Sequence, residues 1–231
     1  MQLTDALWLV DDVQAANVYI IGTDDGAVIV DSGIRGSAAA ILAELSRAGY
    51  DPAQVRAVVV THAHVDHIGS LPELQQATGA PIHAPAGEVG AIRGQAPLPH
   101  PPGVYGRLFA AATSLMRPAP VKVEHALKAG PSVEALPGWH VVPTSGHTLD
   151  HISLYQPDRQ LLIAGDALAN FGGLRMSPWP FTSDMRRARA SAALLAGLPL
   201  RSIVFGHGAP LLDDARLHAQ LTALAQRSRY R

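Results

Sequence analysis

With 231 residues, 48% hydrophobic and 16% charged, the chain has the apolar content of a folded domain with a sizeable core, and disorder is excluded. A formal net charge of −1 offers no basic face for nucleic acid and none for an anionic membrane surface. Cysteine is absent, so disulfides and thiolate ligands are excluded and any metal must be held by nitrogen and oxygen.

Two short strands are predicted at residues 7–10 and 17–22, and Asp24-Asp25-Gly26 turns the chain into a buried strand at 27–30. That strand stops at Asp31-Ser32-Gly33. Asp31 is either a turn-capping residue before a helix over 37–48 or a carboxylate that steadies a metal-bound histidine. An apolar strand over 55–60 then runs into Thr61-His62-Ala63-His64-Val65-Asp66-His67, where imidazoles and a carboxylate crowd together at a strand end. Such groups are expensive to bury without partners, and a divalent cation is their ordinary partner. A helix is expected over 68–77, with Pro72 in its first turn, and a strand over 81–84 in which His83 reads as a structural histidine near the surface.

Residues 85–120 are dense in proline and glycine, and Val104, Leu108, Phe109, Ala112, Leu115 and Met116 fall on one face of a helix. Three readings stand for this segment: a helix laid on the core, a lid over the site, or a homodimer surface. Three strands of an antiparallel sheet are expected at 121–126, 132–135 and 139–143. The chain continues through Gly146-His147-Thr148-Leu149-Asp150-His151 into strands at 152–155 and 160–164, the second ending at Gly165-Asp166. A helix over 183–196 opens at Ser183 or Asp184, and the cluster Arg186, Arg187, Arg189 reads as its solvated face. A last strand at 202–205 ends at Gly206-His207-Gly208, and a helix over 213–227 follows.

Polar clusters thus sit at four strand ends, and their potential ligands are His62, His64, Asp66, His67, His147, Asp166 and His207. That set exceeds what one zinc ion takes from a protein. Two ions that share Asp166 use all of it: His62, His64 and His147 on one, Asp66, His67 and His207 on the other.

With V-D-S-G, H-x-H-x-D-H, G-H-T-x-x-H, G-D and G-H-G in this order, the chain resembles the metallo-β-lactamase superfamily across nearly its whole length. The resemblance implies an α/β fold, a four-layer αβ/βα sandwich of two mixed β-sheets flanked by helices, as one metallo-hydrolase domain over residues 1–231. It also implies that Asp31 and His151 stand behind the ligands and steady them. Leu149-Asp150 departs from the Pro-Gly usual between the two histidines of the family's element. A true β-lactamase is not expected, since those enzymes use a cysteine ligand or lack the carboxylate that matches Asp166. Glyoxalase II enzymes share the ligand set but carry a longer carboxyl-terminal region, so a glutathione thioester is not the expected substrate. The resemblance therefore implies a hydrolase of lactonase-like or general type. A hydroxide bridging two Zn²⁺ ions would attack an ester, thioester or lactone carbonyl, with Asp66 orienting it and passing on its proton. Iron, manganese and cobalt suit the same donors, and an iron-dependent oxygenase or redox protein, persulfide dioxygenase-like or flavodiiron-like, is the alternative. Phe171, Trp179 and Phe181 are candidate walls for a small-molecule substrate. The amino terminus lacks a secretory pattern and no apolar run approaches ~20 residues, so the expected location is cytoplasmic, without a membrane or nucleic-acid partner.

Overall fold

In a computed structural model, which describes residues 1–229, the chain forms two compact units. The first comprises Met1–Pro99 and Ala110–Leu127, the second His100–Phe109 and Lys128–Arg231.

The first unit is built on a seven-stranded sheet in sequence order. Its strands are β1 (Gln2–Thr4), β2 (Leu7–Leu9), β3 (Tyr19–Thr23), β4 (Gly26–Val30), β5 (Val55–Val59), β6 (Ile82–Pro85) and β7 (His125–Leu127). The meander β1 to β4 is antiparallel, and β4 to β7 run parallel. Parallel strands need crossovers, and helices supply them: α1 (Ala38–Arg47) between β4 and β5, then α2 (Val65–Ile68) and α3 (Leu71–Thr78) between β5 and β6. The continuous apolar run of β4 reflects burial on both faces, and Ile29, Val58, Ile41, Leu45 and Leu74 share one core cluster. A short α4 (Val89–Ile92) and then α5 (Gly103–Ser114) lead to β7.

The second unit carries β8 (Gly130–Val133), β9 (Leu136–Pro143), β10 (Ile152–Gln156), β11 (Leu161–Ile163) and, beyond a two-stranded ribbon of β12 (Leu168–Asn170) and β13 (Leu174–Met176), the last strand β14 (Ser202–Val204). The five-stranded sheet has the order β14-β11-β10-β9-β8, with only the β11–β14 pair parallel. Helix α6 (Met185–Ala196) makes that crossover, capped by Asp184, whose carboxylate accepts from the backbone N–H of Arg186 and Arg187. Helix α7 (Leu217–Arg229) follows, and Leu195, Phe205, Leu217 and Leu221 join one core cluster. No helix among the described residues is long and apolar enough to cross a membrane.

Several expectations need correction. Segment 121–126 does not join β8 and β9. Its strand is shorter, His125–Leu127, and pairs parallel with β6. The 68–77 helix begins later, at Leu71, because Asp66 and His67 already lie in the separate turn of α2. The ribbon β12–β13 was hidden in a Gly-rich stretch that reads as loop. The apolar face of α5 is not laid on a core: among the described residues of the helix only Gly106 is buried, and Val104 and Leu108 are exposed.

His83 is also corrected, from near-surface to 3% exposed. It stacks on His125 of the neighbouring strand, with ring centroids 4.3 Å apart. Burial, and then the adjacent His125, lower its pKa to about 4, against a smaller opposing pull from Glu124. The unfolded chain takes up this proton near 6.5, the folded chain only near 4. Stability should therefore be complete in this respect above pH 6.5 and fall as the pH drops towards 4. The loss is expected to be about 1–3 kcal/mol. Urea unfolding of His83→Phe is expected to show a smaller drop in midpoint between neutral and acidic solution than the parent chain.

Candidate metal centre

In the first unit the donors are placed by the loops that end β4 and β5. Asp31, immediately after β4, is buried and has φ of 64°, a left-handed conformation that Asp tolerates better than most residues. Its Oδ1 accepts from the Thr61 backbone N–H at 2.7 Å, and its Oδ2 from the Thr61 hydroxyl and from His67 Nδ1, both at 2.8 Å. A carboxylate can only accept, so His67 carries its proton on Nδ1 and the Thr61 hydroxyl hydrogen points at Asp31. Thr61 Oγ1 then has lone pairs for the His62 Nδ1–H, 3.1 Å away. One carboxylate therefore sets the tautomers of two histidines, and in both the basic nitrogen is Nε2.

The rest of the loop is laced by short polar contacts. The backbone N–H and hydroxyl of Ser32 both donate to the His67 carbonyl, at 2.8 and 2.9 Å, and Gly69 N–H donates to the Gly33 carbonyl at 2.9 Å. A Cβ on Gly69 would stand 2.4 Å from the Arg35 backbone nitrogen, so the two loops approach this closely only with glycine there. Between the first two histidines, Ala63 N–H donates to the buried carboxylate of Glu88 at 2.5 Å. The outcome is a tight group of rings: His62 lies 4.8 Å from His64 and 4.1 Å from His67, centroid to centroid. His67 Nε2 stands 3.8 Å from Asp66 Oδ2, and the Asp66 side chain is 25% exposed.

In the second unit Asp166 is the centre. Its Oδ2 lies 3.3 Å from His147 Nε2 and 3.1 Å from His207 Nε2. His147 Nδ1 meets the Ser177 hydroxyl at 2.6 Å, which leaves Nε2 directed at the carboxylate. His151 acts one step back. Its Nε2 accepts the Asp166 backbone N–H at 2.9 Å, so the ring proton is on Nδ1 and donates to Thr144 Oγ1 at 2.8 Å. Thr144 in turn donates to Ser153, and Ser153 to the Ala164 carbonyl, at 2.8 and 2.9 Å. The chain of bonds has a single direction because it starts at an amide N–H and ends at a carbonyl. Gly146, with φ of 139°, would place a Cβ 2.2 Å from the Ala188 nitrogen, so the loop before His147 cannot accept a larger residue. Leu149-Asp150, the departure from the family's Pro-Gly, lies on the exposed side of this loop.

Imidazoles gathered around carboxylates form a donor set for a divalent cation of borderline hardness. The chain holds His and Asp groups that could take such an ion. Thr61, Glu88, Thr144, Ser153 and Ser177 were not identified from the sequence. Phe171, Trp179 and Phe181 all prove exposed, with the Phe171 ring 6.4 Å from that of His207.

The sequence model described as the metallo-beta-lactamase superfamily matches residues 11–207. Over 234 residues the chain is 31% identical to "Probable metallo-hydrolase YflN" of Bacillus subtilis (strain 168), covering 93% of this chain and 88% of that one. It is 29% identical over 195 residues to the hydroxyacylglutathione hydrolase of Methylobacillus flagellatus, covering 82% of this chain and 61% of that one. Among solved structures, the class B3 di-zinc metallo-beta-lactamase LRA-12 from an Alaskan soil metagenome matches with a TM-score of 0.72 at 18% identity, over 100% of this chain and 92% of that chain. Two mixed sheets with flanking helices are the fold held in common.

Replacing Asp31 by Asn keeps a residue at ease with positive φ but leaves one acceptor oxygen where the carboxylate offers two, so the contacts to Thr61 and His67 cannot all be kept. Asp31→Asn is expected to lose about 10- to 100-fold in zinc affinity, measured by competition with a chromophoric chelator, with little change in melting temperature.

Proposed function

Because the chain belongs to the metallo-β-lactamase superfamily, we propose that it is a binuclear metal-dependent hydrolase of ester, thioester or lactone bonds. The observation that carries the reading is Asp166, one oxygen of which is approached by the Nε2 atoms of both His147 and His207. Two imidazole nitrogens and a carboxylate oxygen at that spacing are groups that a divalent cation takes as ligands. A carboxylate between two ions, each with its own imidazole, satisfies the same atoms. In this reading His62, His64 and His147 hold one ion, Asp66, His67 and His207 hold the other, and Asp166 serves both. Zinc is the metal we propose, on the nitrogen and oxygen chemistry of the donors.

Two bound divalent ions would supply Lewis acidity, lowering the pKa of water towards ~7 and polarising a carbonyl oxygen. The work of the chain is positional. Asp31 and the His151–Thr144–Ser153 chain keep the donors in place before any ion arrives, so that little reorganisation accompanies binding. Asp66, whose side chain is 25% exposed where that of His67 is fully buried, is the carboxylate assigned to orient the attacking water. It accepts that water's proton and returns it to the leaving oxygen or sulfur, a role that elsewhere contributes about 10²–10⁴ in rate. The thioester branch of the proposal is supported by the likeness to hydroxyacylglutathione hydrolases, to which the chain is similar over part of their length.

Protein purified without chelators and loaded with zinc is expected to bind two equivalents and to hydrolyse members of an ester, thioester and lactone panel. Asp166→Ala is expected to keep no more than one equivalent and to lose at least ~100-fold in activity. One equivalent of iron with oxygen-dependent turnover would replace this reading with an iron oxygenase.

A further inference from the structure

The second unit exposes more aromatic and aliphatic surface than a water-facing segment needs. Trp179 is 69% exposed and Leu108 67%, with Phe171, Phe181 and Tyr105 also outside the core. These residues are not scattered singly. The Tyr105 and Trp179 rings lie 6.2 Å apart and those of Phe109 and Phe181 5.7 Å apart, so the start of α5 and the 179–181 turn present one aromatic surface.

That surface is tied to the metal ligands of the same unit. Ser177, whose hydroxyl meets His147, is two residues before Trp179, and the turn between them is held by the Thr182 hydroxyl, which donates to the Pro178 carbonyl at 2.8 Å. At His207, Phe171 inclines its ring towards the imidazole. Residues 97–110 and 171–182 contain no carboxylate, and their charges are Arg107 and Arg175 alone. A polar or polyanionic substrate would call for a different lining. An uncharged hydrocarbon chain attached to a carbonyl held at the ligands suits this one.

We propose that this aromatic surface binds the acyl chain of the substrate, so that the enzyme prefers medium-chain acyl esters, thioesters or lactones to short ones. The proposal rests on the hydrolase reading and adds the substrate class. Apolar contact of successive methylenes predicts a gain of about threefold in kcat/KM for each one added, until the surface is covered.

Two measurements test it. The zinc-loaded enzyme is assayed with p-nitrophenyl esters from acetyl to decanoyl. The expected result is a rising series, flattened in Trp179→Ala, with a KM for the decanoyl ester raised at least tenfold. Separately, decanoate is titrated into metal-free protein while tryptophan emission is followed. A saturable blue shift is expected that disappears in Trp179→Phe. A flat series in an active enzyme overturns the proposal, and so does the absence of the emission change. If no ester is hydrolysed but decanoate still shifts Trp179, the acyl surface stands and the hydrolase reading fails. If Trp179→Ala converts a dimer to a monomer without altering the chain-length series, the surface belongs to a second copy and the proposal is overturned.

Discussion

The site depends on one buried carboxylate. Asp31 accepts from a backbone N–H, a hydroxyl and an imidazole, all delivered by the loop that follows β5. Burial of an ionised Asp costs several kcal/mol unless its lone pairs are filled, and these contacts fill them. The backbone of Asp31 sits at positive φ, which costs a further ~1 kcal/mol for a residue other than glycine. What the chain gains is direction. Two histidines in a flexible loop could each take either tautomer, and Asp31, acting on one directly and on the other through Thr61, selects the form that turns Nε2 to the ligand side.

The second unit solves the same problem with neutral groups. His151 takes the Asp166 amide hydrogen, and the bonds running on through Thr144 and Ser153 end at Ala164, two residues before Asp166. The chain therefore closes on the backbone that carries the carboxylate. Protonating His151 on both nitrogens would break that first contact, so the arrangement works only with a neutral ring. In both units the residue behind the candidate ligand lies buried at a strand end, Asp31 directly after β4 and His151 directly before β10.

The candidate donors were legible in the sequence because of their spacing. His62, His64, Asp66 and His67 form a pattern that packing does not produce, and Gly146 marks where backbone comes too close for a side chain. Asp31 was readable as one of two alternatives, a turn cap or a carboxylate beside a histidine, and it hydrogen-bonds to His67. The hydroxyls were not readable. Thr61, Thr144, Ser153 and Ser177 are residues of ordinary frequency whose role depends on a neighbour brought in by the fold, and Glu88 approaches Ala63 from a separate loop. Two of the errors have a common origin. Assigning 121–126 to the wrong sheet and setting His83 near the surface were failures to foresee pairing between distant segments, whereas the β12–β13 ribbon is a local hairpin whose Gly-rich turn masked its strands. Helix α5 is a different case: burial against the core was one of three readings of its apolar face, and the periodicity of a face says nothing about what covers it.

The account stands on donors whose protons are set before any ion binds. Long-range proton–nitrogen correlation spectra of the metal-free, histidine-labelled protein in mildly alkaline solution test this most directly. His62 and His67 are expected as single Nδ1–H tautomers, both released to a mixture in Asp31→Ala. Nε2–H tautomers for His62 and His67 in the parent protein would contradict it.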